Sequence, residues 1–322
     1  MSTLPTVCRL TERFNRVGVY HEDSYNLSAP YYLLTGRKGT SIYSEGDAQI
    51  VVCKHPHVDD RLMVFPEIGG DGTLTFKVLN SLDTPCNGIQ LSRYTDDDFA
   101  RLESAGQRFK QGKKFIFTER DENVMDWKYP VHILNTESVG HLHGISFDKL
   151  RNKYNKASQN LSVIDFSSEK ALPAMRASLM FWVGSMIYGG KETGHDLMDF
   201  YNLLFKMVDA SPASFDGFAV LQNGEPSGFT IWDNTTPDIA NGLAGLSRQS
   251  IPGMSEFQTV TACKKLHEKG IKYYNIGGSE TEGLNQYKLK YRPEKSIKIK
   301  SYDVNSNSFL TGVKYEHIDM RL

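Results

Sequence analysis

With 322 residues, 39% of them apolar and 23% charged, the chain has material for two ordinary globular cores, and neither a disordered nor a fibrous polypeptide is indicated. A formal net charge of -1 excludes a global positive field able to hold a polyanion, so any nucleic-acid contact must come from local patches. Four scattered cysteines, Cys8, Cys53, Cys86 and Cys263, form no CxxC pair and read as thiols in a reducing compartment. The first residues lack the basic-then-apolar pattern of a secretory signal. The longest uncharged apolar stretch, 177–190, is shorter than the roughly 20 residues a membrane helix needs. The expectation is a cytoplasmic protein without stable membrane insertion, in which 177–190 is a buried core helix.

In chain order, residues 1–90 look strand-rich. Short apolar runs at Tyr31–Leu34, Ile50–Cys53, Leu62–Phe65 and Leu74–Val78 are separated by the turn clusters GRKG, SEGD and GGDG. Thr95 and three aspartates predict the start of a helix over 96–109. Lys114–Thr118 reads as a strand and 146–157 as a second helix. Leu161–Phe166 alternates like a strand. Two helices follow, over 167–188 and 194–209, then three strands at 215–222, 228–233 and 243–246, the first two joined by the hairpin turn NGEPSG. A helix over 255–269 stops at Gly270. A strand at 273–276, a short helix over 282–291 ended by Pro293, and strands at 296–303 and 309–315 complete the chain.

From Leu161 onward the order is strand, helix, helix, three strands, helix, strand, helix, strand, strand, which is the element order of the GNAT acyltransferase fold. Within it, 245–302 contains GLSRQSIPGMSEFQ and KYYNIGGSETEGLNQYKLKYRPEKSIKIKSY. This segment resembles the C-terminal catalytic domain of the phosphatidylglycerol lysyltransferases, whose Gly-Leu-x-x-x-Lys-x-x-Tyr-x-Pro signature falls here on Gly283, Leu284, Lys288, Tyr291 and Pro293. LRNKYN at 150–155 is similar to a basic segment preceding that domain. The related Fem peptidoglycan transferases carry two GNAT-like domains in tandem. The resemblance therefore implies an α+β chain of tandem GNAT-like domains, each a mixed central sheet flanked by helices: a degenerate copy over 1–158 and a catalytic copy over 159–322. It implies an aminoacyl-tRNA donor. Two departures stand out. The acids that follow the family's Asn are replaced by Ile276, Gly277, Gly278 and Ser279, with Glu280 the nearest carboxylate, which points away from a lysyl donor. The membrane-embedded half of the lipid synthases has no counterpart, which points away from a phospholipid acceptor.

The resemblance gives Lys288 a catalytic role, holding an acceptor-end phosphate or stabilising the leaving ribose oxygen. Tyr274, Asn275, Gly277 and Gly278 end a strand where a ligand can approach the backbone closely; with Glu280, Tyr291 and Arg292 they form the expected substrate side. The alternative for the glycines is a flexible turn. Arg248 and Glu256 flank the helix at 255–269, where Glu256 has the alternative role of capping it, and Asp216 either orients an acceptor or opens a strand. Arg151, Lys153 and Lys290 are candidate tRNA or anion contacts; a solvated helix face is the plain alternative. His141 and His143 have no carboxylate partner in sequence, and the HPH at 55–57 shows no further ligand at metal spacing, so no metal is expected.

The loop Ser247–Met254 lacks the second glycine of a CoA-pyrophosphate turn, and Pro252 removes a donor. No cofactor is expected beyond the aminoacyl-tRNA donor substrate, with acyl-CoA as the alternative donor. The expected reaction moves the aminoacyl group directly to an amine or hydroxyl of a small-molecule or peptide acceptor. The ester is already activated, so the enzyme need only hold the acceptor about 3 Å from the carbonyl and take a proton. The competing readings are an acyl-CoA-dependent N-acetyltransferase of the same fold and a non-catalytic ligand- or RNA-binding module.

Overall fold

The computed structural model describes residues 21–83, 87–109, 114–120, 125, 127–189, 195–307 and 318–320. It divides into two compact units: Met1–Val131 with Gly278–Asn285 and Ile297–Leu322, and His132–Gly277 with Gln286–Ser296. The expected boundary at 158/159 therefore falls inside the second unit. The reason is strand pairing, which draws chain from both halves into each sheet.

In unit 1, α1 (Ala29–Thr35) is followed by β1 (Thr40–Glu45), β2 (Ala48–Lys54), β3 (Leu62–Val64), α2 (Thr73–Ser81), β4 (Ile89–Tyr94), α3 (Asp96–Arg108) and β5 (Lys114–Glu119). Two of these correct the sequence reading. Tyr31–Leu34 is helical, because Ser28 caps the helix by accepting the Tyr31 N–H (3.0 Å) and Pro30 fits its first turn. Leu74–Val78 is also helical. Its first turn is held by the Glu67 carboxylate, which accepts N–H groups from Gly72 (3.1 Å) and Thr75 (2.9 Å). A short apolar run cannot by itself tell a strand from a buried helix. The expected helix at 96–109 is present, with a Thr95–Asp98 capping box.

Buried Arg93, at φ 62°, ties the segment before α1 to β4. Its guanidinium donates to Asp23 (2.9 and 2.6 Å) and lies 4.8 Å from the ring centroids of Tyr25 and Tyr31. A buried ion pair persists only with such compensation.

Unit 2 runs from β6 (Val131–Asn135) through α4 (Thr136–His141), α5 (Asp148–Ser158), β7 (Leu161–Asp165), α6 (Ala171–Tyr188) and α7 (His195–Ala210) to β8 (Phe215–Gln222), β9 (Glu225–Asp233) and β10 (Ile239–Ser247). It continues with α8 (Met254–Glu268), β11 (Tyr273–Asn275), α9 (Glu282–Leu289), of which the residues up to Asn285 count with unit 1, and β12 (Lys295–Ile297). β13 (Lys300–Asn307) and β14 (Ile318–Met320) return to the first sheet. The strand expected at 296–303 is thus two strands in two sheets, and the one expected at 309–315 lies outside the described residues. β1, β4, β6 and α4 were not anticipated.

The sheets share one plan. Their orders are β14-β1-β2-β3-β4-β13-β5 and β12-β6-β11-β10-β9-β8-β7. In each, three antiparallel strands lead through a helix to a strand parallel with the third: β1-β2-β3, α2, β4 and β8-β9-β10, α8, β11. In each, the next strand is antiparallel and comes from a distant part of the chain, β13 beside β4 and β6 beside β11. These are tandem GNAT-like domains with mixed sheets, as the family resemblance implied. The Trp127 indole N–H donates to Ser301 on β13 (2.9 Å), fastening the returning strand within unit 1.

Among the described residues, no helix is long and apolar enough to cross a membrane. The segment at 177–190 is not the buried core helix expected. In α6, Met175, Leu179 and Val183 are buried, whereas Met180, Phe181, Ile187 and Tyr188 are exposed.

His55 in unit 1 is buried, and its Nδ1 accepts the N–H groups of His57 (3.1 Å) and Val58 (3.0 Å). Burial, then the nearby charges of His57, Arg61, Arg120 and Lys38, push its imidazole from 6.5 down to about 4. The unfolded chain takes up a proton below 6.5 that the folded chain refuses until about 4, so stability is lost as pH falls across that window. Urea unfolding should show about 2 kcal/mol of this loss between pH 7 and pH 4.5. The loss should shrink in His55→Asn, whose amide oxygen accepts similar bonds without titrating.

Candidate active site

The site is built where β10 and β11 part. They pair in parallel through Ile239↔Tyr273, Ala240↔Tyr274 and Asn241↔Asn275; there β11 ends, while β10 runs on to Ser247. The continuing stretch, Gly242-Leu243-Ala244-Gly245, carries a bulge toward β9 between Gly242 and Ala244. A side chain at Gly242 would place its Cβ 2.8 Å from the Tyr274 hydroxyl. Tyr274 therefore needs this glycine, and it fills the root of the opening.

Across that last rung runs a buried polar row. Asp233 pairs with Asn241, and Asn241 with Asn275. The Asp233 carboxylate accepts the Asn241 N–H (3.1 Å) and the Thr235 hydroxyl, and the Asn241 amide donates to Thr235 Oγ1 (2.6 Å). The Asn275 side chain accepts the Gly277 N–H (2.9 Å), stabilising a turn in which Gly277 has φ 70°. Asp233 and Asn241 were missed in the sequence. Their only signal was a polar residue at the end of one apolar strand and another near the start of the next.

Lys288 reaches this turn from α9. Its ammonium donates to the Ile276 carbonyl at 2.6 Å and is half-buried. Ile276 N–H donates to the His132 carbonyl, and His132 N–H to that of Gly277 (3.0 and 3.2 Å). The strand end, its glycine and Lys288 are thus held together.

Tyr291 is fully buried beneath the start of α8, where its hydroxyl meets that of Tyr287 and donates to the Ser255 carbonyl (3.4 Å). Burial raises its pKa well above the usual phenol range. Its place is that of an anchor for the chain after α9, not of a surface offered to substrate.

The remaining candidates fall in separate groups. Arg151 donates to the Leu142 carbonyl (2.5 Å) and pairs with Asp148, while Arg292, at φ 52°, donates to the Ser146 carbonyl (2.9 Å). Together they pin the turn before α5. Lys153 pairs with buried Glu256 in the first turn of α8 (3.0 Å). Lys290 is exposed, over the Tyr287 ring. Arg248 is exposed in the loop leading to α8. Asp216 pairs instead with Lys269 at the far end of that 15-residue helix, about 22 Å away. Glu280 is exposed, and with Gly278 it belongs to the Gly278–Asn285 segment of unit 1. The rings of His141 and His143 stack at 5.4 Å, with His267 edge-on to His141.

The helix N-termini that follow the third strand differ between the units. In unit 1, the Glu67 carboxylate already occupies the start of α2, and Gly70 is required because a Cβ there would lie 1.8 Å from it. Burial raises the pKa of this carboxyl, against the backbone donors that lower it. In unit 2, α5 packs over the start of α8: a Cβ on Gly253 would lie 3.2 Å from both the Ala157 Cβ and the Lys153 carbonyl.

Gly242→Ala should lower stability by about 1–3 kcal/mol through overpacking against Tyr274. Adding Tyr274→Phe should restore part of it, so that a double-mutant cycle in urea gives a coupling of about 1 kcal/mol.

The family described as phosphatidylglycerol lysyltransferase, C-terminal, matches residues 131–299. Among curated proteins, none matches the chain. Solved structures share its fold over nearly the whole length. A conserved protein of unknown function from Bacteroides thetaiotaomicron aligns with TM-score 0.71 and 16% identity, over 94% of this chain and 97% of that one. FemX aligns with TM-score 0.61 and 14% identity, over 91% and 95%. L-PGS from Bacillus licheniformis aligns with TM-score 0.59 and 14% identity, over 94% and 93%. The matched span holds the opened strand pair, the Asn275 turn and Lys288. This chain belongs to the phosphatidylglycerol lysyltransferase C-terminal family.

Proposed function

We propose that unit 2 transfers an aminoacyl group from aminoacyl-tRNA to an amine or hydroxyl of a soluble acceptor in the cytoplasm, directly and without a covalent enzyme intermediate. The observation that carries this reading is Lys288 held on the Ile276 carbonyl, at the point where β11 stops and β10 runs on. In the reaction, the acceptor nitrogen or oxygen bonds to the ester carbonyl carbon and the ester C–O bond breaks. The proton lost by the acceptor ends on the leaving ribose oxygen. Backbone donors along the open edge of β10 suit the carbonyl oxygen as it gains charge, and the Lys288 ammonium suits the ribose oxygen. Exposed Lys290 and Arg292 supply local positive charge for the acceptor-end phosphates, in a protein with no global positive field, while Arg151 and Lys153 are already paired with Asp148 and Glu256.

Two features favour the tRNA ester over acyl-CoA. The start of α8, where a pyrophosphate would otherwise sit, is covered by α5 at Gly253 and carries an acid, Glu256, in its first turn. Pro252 also removes a donor from the loop. The self-capped α2 makes unit 1 the weaker candidate for any phosphorylated donor.

Purified full-length protein, incubated with total tRNA charged with labelled amino acids and a pool of metabolites and peptides, should discharge one tRNA species and form a new labelled amide or ester. A parallel reaction with labelled acetyl-CoA should stay blank. Lys288→Ala should reduce transfer about 100-fold or more while the thermal melting point holds. Product from acetyl-CoA alone, or full activity in Lys288→Ala, would overturn the reading.

A further inference from the structure

We infer that the groove between the C-terminal half of α6 and the loop after β10 holds the acceptor, and that this acceptor is an amino acid or short peptide with an apolar side chain and a free carboxylate. The inference rests on the transferase reading and adds an acceptor class to it.

The groove lies within unit 2 and encloses about 330 Å3, near the lower end of the ~300–1,000 Å3 usual for small-molecule sites. Phe181, Trp182 and Met186 of α6 form one wall; Arg248, Gln249 and Ser250 form the other. The polar side chains at its floor are already used: Ser178 donates to the Ala174 carbonyl (2.9 Å) and Ser227 to that of Glu225 (3.0 Å). The floor therefore asks for no hydrogen bond from an occupant and suits an apolar body. Phe181 is 57% exposed, and such a ligand would take it out of water.

Charge decides the rest. The lining holds one cation, Arg248, and no acid. Among the described residues the Arg248 guanidinium makes no ion pair or hydrogen bond. One guanidinium matches one carboxylate with two parallel hydrogen bonds, whereas a phosphate dianion calls for more positive charge than the groove carries. The groove also lies at the Gly228↔Ser247 rung, the C-terminal end of the strand whose edge opens beyond Asn241. An acceptor anchored there by its carboxylate lies against the end of β10, the strand that leads to the Asn241 rung.

Trp182 provides the readout. Trp127 and Trp232 are both fully buried, whereas Trp182 lines the groove and is partly exposed. Full-length protein is titrated, without tRNA, with leucyl-phenylalanine, with its C-terminal amide, and with vesicles of phosphatidylglycerol and phosphatidylcholine. Binding is followed by tryptophan fluorescence and by calorimetry. The free carboxylate peptide should bind at least 10-fold more tightly than the amide. Arg248→Gln should erase that difference at unchanged melting temperature, and Trp182→Phe should abolish the fluorescence signal. Equal affinity for peptide and amide, binding of neither, discrimination that survives Arg248→Gln, or a response to vesicles alone would overturn the assignment; the last would name a lipid surface as the occupant. Because no donor is present, failure here leaves the transferase reading to the charged-tRNA assay, and failure there leaves this binding result standing.

Discussion

The rung between Asn241 and Asn275 is the constraint on which unit 2 depends. Two parallel strands share backbone hydrogen bonds up to that point and then separate, because β11 is only three residues long and its successor is a glycine turn. Everything proposed for the site follows from that early end. The turn at Gly277 is stabilised by the Asn275 side chain, Lys288 is drawn to the Ile276 carbonyl, and β10 runs on beyond its pairing with β11. The row from Asp233 through Asn241 to Asn275 satisfies the polar groups that the separation would otherwise strand in a dry interior.

Both units use the same strand order, yet they treat the helix that follows the third strand differently. Unit 1 fills the start of α2 with its own Glu67 carboxylate, an internal anion in the position where a helix attracts external ones. Unit 2 covers the start of α8 with α5 and balances Glu256 against Lys153. A repeated scaffold has thus been closed twice by different means, and the lysine of the family signature stands beside the opening in only one of them. Fold order alone would not distinguish the two; the side chains do.

Much of this architecture was legible in the sequence. Short apolar runs, turn signals and, for β7, alternation found β2, β5, β7, β8, β9 and β10, and the Thr95 cap and Gly270 stop found two helices, because these signals act over a few neighbouring residues. The signature Gly283, Leu284, Lys288, Tyr291, Pro293 marked the candidate site. Legibility failed where local pattern was ambiguous. Tyr31–Leu34 and Leu74–Val78 are apolar enough for a buried strand, and only a serine cap in one case and a distant glutamate in the other make them helices. Tyr291 illustrates the limit of a motif: the pattern marks it, but its fully buried ring serves packing.

By itself the sequence determined the element order of the second half, which rests on short-range periodicity, and a contiguous motif carried the family resemblance that implied two similar copies and marked the candidate site. Tertiary structure alone decided which strands complete which sheet. Nothing local in Val131–Asn135 or Lys300–Asn307 says that the first pairs with β11 and the second with β4, well over a hundred residues away in each case. It also decided that α6 buries one side and exposes Met180, Phe181, Ile187 and Tyr188 on another, which an all-round apolar sequence cannot encode. Asp233 and Asn241 joined the site in the same way, through cross-strand register. Register is a property of paired backbones, and it exists only once the sheet has formed.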